Sequence, residues 1–211
     1  MPQANATSAP SGKRAERSRQ AIIAAAREVF VRDGFDVNLE IVAAAAGVSK
    51  VTVYNHFRSK EDLFTAVIGQ ALDEALGSTL GEARASLTNT RDVRKALTRT
   101  ARALLAGVTS PSVLALRNLV TGELRRFPHL GRAWQERGPA QFTTILGEVF
   151  EGLSDRGHLT IADVQVATIQ FVALTLYPHL VANAFGSSVD SELADRLVTE
   201  GVDMFLNQYE A

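Results

Sequence analysis

Cysteine is missing altogether from these 211 residues. Its absence removes disulfides, thiolate metal ligands and cysteine nucleophiles, and it fits a reducing compartment. No uninterrupted apolar run reaches membrane-spanning length: the longest apolar stretch, 168–185, is broken by Gln170, Pro178, His179 and Asn183. The first twenty residues, MPQANATSAPSGKRAERSRQ, hold no apolar segment of the kind a secretory signal needs. The chain is therefore expected to be soluble and cytoplasmic, with no membrane partner. Nothing resembles a nucleophile elbow, a phosphate-binding glycine loop or a paired-carboxylate site. Of the four histidines, His129, His158 and His179 stand far apart and lack the i, i+4 or carboxylate partners of a metal site. No catalytic residues, no metal and no cofactor are expected. Period-2 strands of useful length are absent as well.

What remains is a helical chain, 46% hydrophobic, with an uneven charge. Residues 1–60 carry nine Lys/Arg against five Asp/Glu, a net of +4; the rest carries thirteen against eighteen, a net of −5. A basic head on an acidic body suggests a polyanion at one end, or ordinary surface variation. Residues 1–16, rich in Ser, Ala, Pro and Gly with Lys13 and Arg14, read as a disordered basic arm. Arg17 and Arg19 follow, and the four cations either keep the tail in solution or touch DNA. Helices are predicted at about 18–33, 38–46, 50–56, 59–80, 91–107, 112–125, 130–156, 163–185 and 191–208. In the first, Ile22, Ala26, Val29 and Phe30 make one apolar stripe, which Gly34 ends. Asn38, Ser49 and Ser59 are placed to cap the next three. The fold class is all-α with about nine helices. A three-helix head over 17–66 precedes a helical bundle over 67–211.

The informative segment is Ile41-Val-Ala-Ala-Ala-Ala-Gly47-Val-Ser49-Lys-Val-Thr52-Val-Tyr54-Asn-His56-Phe57-Arg-Ser-Lys60. A run of alanines makes a slim helix that another helix can approach closely. Gly47 permits a left-handed turn. Val48, Val53 and Phe57 can anchor the following short helix to Phe30, Val42 and Leu63. That leaves Lys50, Val51, Thr52, Tyr54, Asn55 and His56 outside the core. Two short helices, a tight turn and a polar outer face describe a helix-turn-helix.

With Gly34-Phe35 before it and Lys60-Glu-Asp-Leu63 after it, this segment resembles the DNA-binding signature of the TetR family of regulators over residues 18–66. The rest resembles, more weakly, the C-terminal domain of AefR-like members, in Glu123-Leu-Arg-Arg-Phe-Pro128-His-Leu, Arg137-Gly-Pro-Ala140 and the Gly-His-Leu turn at 157–159. The resemblance implies that Lys50, Val51 and Thr52 face base edges in the major groove. It also implies that Tyr54, His56 and Lys60 hold phosphates, with Asn38 and Ser49 at helix starts beside the backbone and Asn55 on the same face. Tyr54 and His56 have packing roles as alternatives. Two positions depart from the family pattern: Val51 stands where a small residue is usual, and Asn38 where Thr is usual.

The same resemblance implies a homodimer through helices 163–185 and 191–208. These are apolar on more than one side, at Val166, Ile169, Phe171, Val172, Leu174 and Leu180, then Leu193, Leu197, Val202 and Phe205. A two-fold dimer implies a near-palindromic operator in double-stranded DNA, with half-sites about 34–36 Å apart. A small, mostly apolar effector is expected in the bundle, lined by Leu104, Leu116, Trp134, Phe142, Phe171, Tyr177 and His179, each of which has core packing as its alternative. The function expected is a repressor released from DNA by that effector. Alternatives are a ligand-independent or activating regulator, and a helical interaction module without DNA binding, against which intact Thr52, Tyr54 and Lys60 argue.

Overall fold

The computed structural model describes residues 12–88 and 90–211. Eleven helices make up nearly all of it: α1 (Lys13–Asp33), α2 (Leu39–Ala45), α3 (Lys50–His56), α4 (Lys60–Thr88), α5 (Val93–Val108), α6 (Pro111–Glu123), α7 (Pro128–Arg137), α8 (Pro139–Asp155), α9 (Val164–Thr175), α10 (Tyr177–Ala184) and α11 (Ser191–Tyr209). The expected arm over 1–16 falls mostly outside the described residues. Where it is described it is helix: α1 begins at Lys13, not near residue 18. The added turn is exposed and held by local bonds, Glu16 N–H to Gly12 O at 3.2 Å and Gln20 Nε2 to Glu16 Oε1 at 2.7 Å.

Two expected helices divide at prolines. The one expected over 130–156 breaks between α7 and α8, where Gly138 (φ −117°, ψ −92°) precedes Pro139. The one expected over 163–185 breaks at Leu176. Pro178 has no N–H to give the Leu174 carbonyl, so the α-helical ladder cannot pass it.

The described residues form two compact units. The first runs through Gln70 and includes Leu119–Ala133. Ile22, Ala26, Val29 and Phe30 of α1 are buried together with Val42, Val53, Phe57, Leu63 and Phe64. Phe35 sits at the centre of an aromatic cluster, with ring centroids 5.7 Å from Phe30, 5.2 Å from Phe64 and 4.9 Å from Phe127. Phe127 belongs to the α6–α7 corner, whose Arg126 also bonds Asp36 at 2.5 Å. Sequence reasoning had treated Glu123, Arg125 and Arg126 as a solvated face; for Arg126 the bond to Asp36 corrects this.

The second unit comprises Ala71–Asn118 and Trp134–Ala211. Its core holds a trio of fully buried phenylalanines, Phe150, Phe171 and Phe205, with centroids 5.0–5.4 Å apart. Helices α9 and α11 lie close together because of Gly201. A Cβ there would stand 2.8 Å from the Leu174 carbonyl oxygen, the oxygen that Pro178 leaves without its helical donor. The ion pairs Arg102–Asp195 (2.7 Å) and Arg94–Asp203 join α5 to α11. Chain continuity links the units: α4, α6 and α7 each belong partly to both. No single helix among the described residues is long and apolar enough to cross a membrane.

Candidate nucleic-acid interface

Helices α2 and α3 are short, seven residues each, and their caps and anchors lie close in sequence. Asn38 Oδ1 accepts the Glu40 N–H at 3.0 Å, which opens α2. After α2 the chain reverses at Gly47, whose φ of +66° suits a residue without a Cβ. The Val48 N–H closes that turn on Ala43 O at 3.0 Å. Ser49 Oγ then accepts the Thr52 N–H at 3.1 Å and lies 2.9 Å from Thr52 Oγ1, so one hydroxyl caps α3 and orients Thr52.

Behind α3, Val53 and Phe57 are buried; Val48 is only half-buried. Arg19 of α1 stacks over the Phe57 ring at 5.4 Å. In front, Val51 is 62% exposed and Tyr54 49%, with Lys50 and Asn55 exposed beside them and Thr52 half-buried. The spacing of buried Val53 and Phe57 (i, i+4) turns residues 50, 51, 54 and 55 outward. The result is a narrow ridge bearing a cation, an aliphatic group, a phenol and an amide, the donor and apolar groups that read base edges and phosphates.

Three residues hold partners that sequence reasoning missed or placed differently. Lys50 Nζ bonds Glu40 Oε1 at 2.8 Å, and this carboxylate holds the ammonium above the usual lysine range. Lys60 Nζ donates to Val37 O at 3.3 Å and lies 4.7 Å from the centre of the Phe35 ring, so it is partly committed to the first unit's own structure. His56 is half-buried, and its Nε2 is turned inward with no hydrogen-bond partner. The inner edge of the imidazole therefore serves packing, and a phosphate can meet only its outer edge.

A cavity of about 150 Å³ lies in the second unit. Leu72, Leu76, Val108, Val113, Arg117, Trp134, Phe142, Thr143, Val172, Leu176 and Leu180 line it. Two of the seven expected lining residues, Trp134 and Phe142, are there. The other five are not: Leu104, Leu116 and Phe171 are fully buried in side-chain packing, Tyr177 is 61% exposed, and His179 is buried outside the cavity. No group of three His, Asp or Glu side chains suited to a metal ion occurs among the described residues.

Residues 22–67 match the family described as bacterial regulatory proteins, tetR family. Residues 95–211, more than half of the chain, match the family described as AefR-like transcriptional repressor, C-terminal domain. The chain belongs to the TetR family. TetR-family proteins are DNA-binding transcription regulators and not enzymes, and that is the activity of this chain. A TetR-family regulator from Mesorhizobium loti is similar over 95% of this chain and 100% of its own, with a TM-score of 0.84 and 28% identity. The flavonoid-responsive regulator FrrA is similar over 92% of this chain and 98% of its own, with a TM-score of 0.75 and 26% identity. The transcriptional activator FasR of Mycolicibacterium smegmatis is 36% identical over 85 residues. That alignment spans 40% of this chain and 38% of FasR, so little more than a third of this curated relative is matched.

Proposed function

We propose that this TetR-family chain is a cytoplasmic homodimeric repressor that binds a near-palindromic operator through α3 and is released by a small ligand held in its second unit. The observation that carries the reading is the ridge on α3: Val53 and Phe57 buried behind it, and Lys50, Val51, Tyr54 and Asn55 exposed in front. On this reading Lys50, Val51 and Thr52 touch base edges. Tyr54, Asn55, the outer edge of His56 and Lys60 serve the backbone, and the α2 and α3 starts at Asn38 and Ser49 face phosphates.

The dimer reading draws on apolar side chains left uncovered on the last three helices. Val166 and Ile169 of α9, Val181 of α10, and Leu193 and Met204 of α11 are 38–61% exposed. Phe171, Val202 and Phe205 on the same helices fill the core of the single chain. The two sides of these helices thus have separate uses, one inside the unit and one for a second copy. The description of the C-terminal domain as AefR-like repressor supports repression. FasR, named an activator, supports the opposite sign, with the same DNA-binding geometry.

Selection of bound sequences from random DNA, followed by in vitro transcription from a promoter carrying the selected site, tests the reading. The expected product is an inverted repeat with half-sites about one helical turn apart, and transcription that falls on adding protein. Enrichment of no sequence over random DNA overturns it. Enrichment with rising transcription replaces the repressor by the activator.

A further inference from the structure

The lining of the cavity is apolar except at one place. Arg117 is the one charged side chain among the described residues that line it, and its Nη1 is buried. It enters from α6 at a core-facing position, four residues after Val113 and three before Val120, both buried. An arginine does not lose its charge when buried, and its desolvation is costly unless an anion or strong acceptors meet it. Its five N–H donors let one edge of the fork serve the protein while another receives a carboxylate side-on.

We infer that the cavity takes a one-ring aromatic carboxylate, its ring against Trp134 and Phe142 and its carboxylate paired with Arg117. The inference rests on the second unit being a ligand sensor, and it replaces the mostly apolar effector expected from sequence by an amphipathic anion. The volume sets the size. A dry apolar cavity of about 150 Å³ holds a benzene ring, and this one has the same capacity. A ligand of several fused or linked rings exceeds it, so the flavonoid class named for FrrA does not fit this conformation. Trp134 and Phe142 offer aromatic faces, and Leu72, Val113 and Leu176 complete an apolar wall.

Calorimetric titration of the full chain with benzoate and phenylacetate, against benzamide and benzyl alcohol, tests the inference. At least one carboxylate is expected to bind, about 10- to 100-fold more tightly than its uncharged analogue, as a charge-assisted hydrogen-bonded pair commands. Arg117→Met is expected to erase that preference, with neutral probes bound as before. Arg117→Lys is expected to retain part of it, which also covers the case that the Met variant does not fold. Val113→Trp, which fills the cavity, is expected to abolish binding of both probe types. Failure of both carboxylates to bind, equal binding of charged and neutral probes, or an unchanged preference in Arg117→Met overturns the inference. A parallel gel-shift on the selected operator separates the two readings. If the protein shifts DNA but shows no carboxylate preference, the regulator stands and this ligand falls. If it shifts no DNA, the regulator falls, while the calorimetric comparison still decides the cavity.

Discussion

Replacing Ser49 separates two roles that one hydroxyl combines, holding α3 and meeting DNA. Helix α3 has seven residues, well below the roughly 12–15 at which an isolated helix becomes marginally stable. It survives on the buried anchors Val53 and Phe57 and on its caps. In Ser49→Ala the acceptor for the Thr52 N–H is gone, at a cost of about 1 kcal/mol, and Thr52 Oγ1 loses its 2.9 Å partner. For a chain of this size such a loss lowers Tm by about 2–4 °C. Ser49→Asn keeps an acceptor and should recover the wild-type Tm. Ser49→Asp also keeps the cap, and its charge at the positive end of α3 should hold or raise Tm. If that helix end faces a phosphate, however, the same carboxylate repels it. Two like charges about 4 Å apart cost about 1 kcal/mol in water and more where solvent is squeezed out, so operator affinity should fall about 5-fold or more. Thermal unfolding by circular dichroism and fluorescence anisotropy on the selected operator read the two effects separately. An aspartate variant with undiminished stability and undiminished affinity would refute the docking of the α3 N-terminus on the backbone. An alanine variant with unchanged Tm would refute the importance of the cap.

Further outcomes are expected from the same geometry. Glu40→Gln should release Lys50 from its 2.8 Å partner and remove a negative charge beside the DNA face. Operator affinity should rise about 2- to 5-fold, in keeping with a weak exposed ion pair, and binding should become steeper in salt by about one phosphate contact if Lys50 then meets the backbone; a fall in affinity would show that Glu40 itself serves recognition. Ile169→Asp, on the exposed side of α9, should convert dimer to monomer in sedimentation velocity without lowering helix content, and an unchanged dimer would move the interface elsewhere. Burial of His179 pushes its pKa below the ordinary 6.5, so the unfolded chain takes up a proton that the folded chain resists. Stability from this group is complete above about pH 6.5 and declines as pH falls from there toward the folded-state pKa. His179→Gln should therefore flatten the acid limb of Tm against pH, and an unchanged slope would assign that limb to other groups.

The head was legible in sequence because what makes it is local. Asn38, Gly47, Ser49, Val53 and Phe57 act within a few residues of one another, so caps, turn and anchors can be read from spacing alone. What joins the α6–α7 corner to the same unit was not legible. Phe35 and Phe127 meet across more than ninety positions, and the intervening helices carry no mark of that pairing. In Glu123-Leu-Arg-Arg-Phe-Pro128-His-Leu, Arg126 on Asp36 and Phe127 on Phe35 are long-range partners whose choice depends on the folded path of the chain. The prolines were visible as breaks in principle. An apolar pattern that continues through Pro139 and Pro178 nonetheless hides the restart of each helix, because Pro is well tolerated in a first turn.

The cavity poses a different difficulty. Periodicity tells which side of a helix is apolar, and does not tell whether that side meets another side chain or a void. Leu104, Leu116 and Phe171 satisfy the same pattern as Trp134 and Phe142, yet the first three are enclosed by packing and the last two border empty space. Apolar residues therefore make poor guides to a pocket, and a polar residue that violates the pattern makes a better one. On α6 the stripe Val113, Leu116, Val120 is buried as its spacing requires, and Arg117 stands inside that stripe, where a solvated arginine has no reason to be. A full complement of neighbours would make such a position expensive to occupy with a fixed charge. The cost becomes tolerable where the core leaves room for solvent or for a counter-ion, so the one residue that breaks the stripe on α6 points to the void more directly than any of the aromatics that surround it.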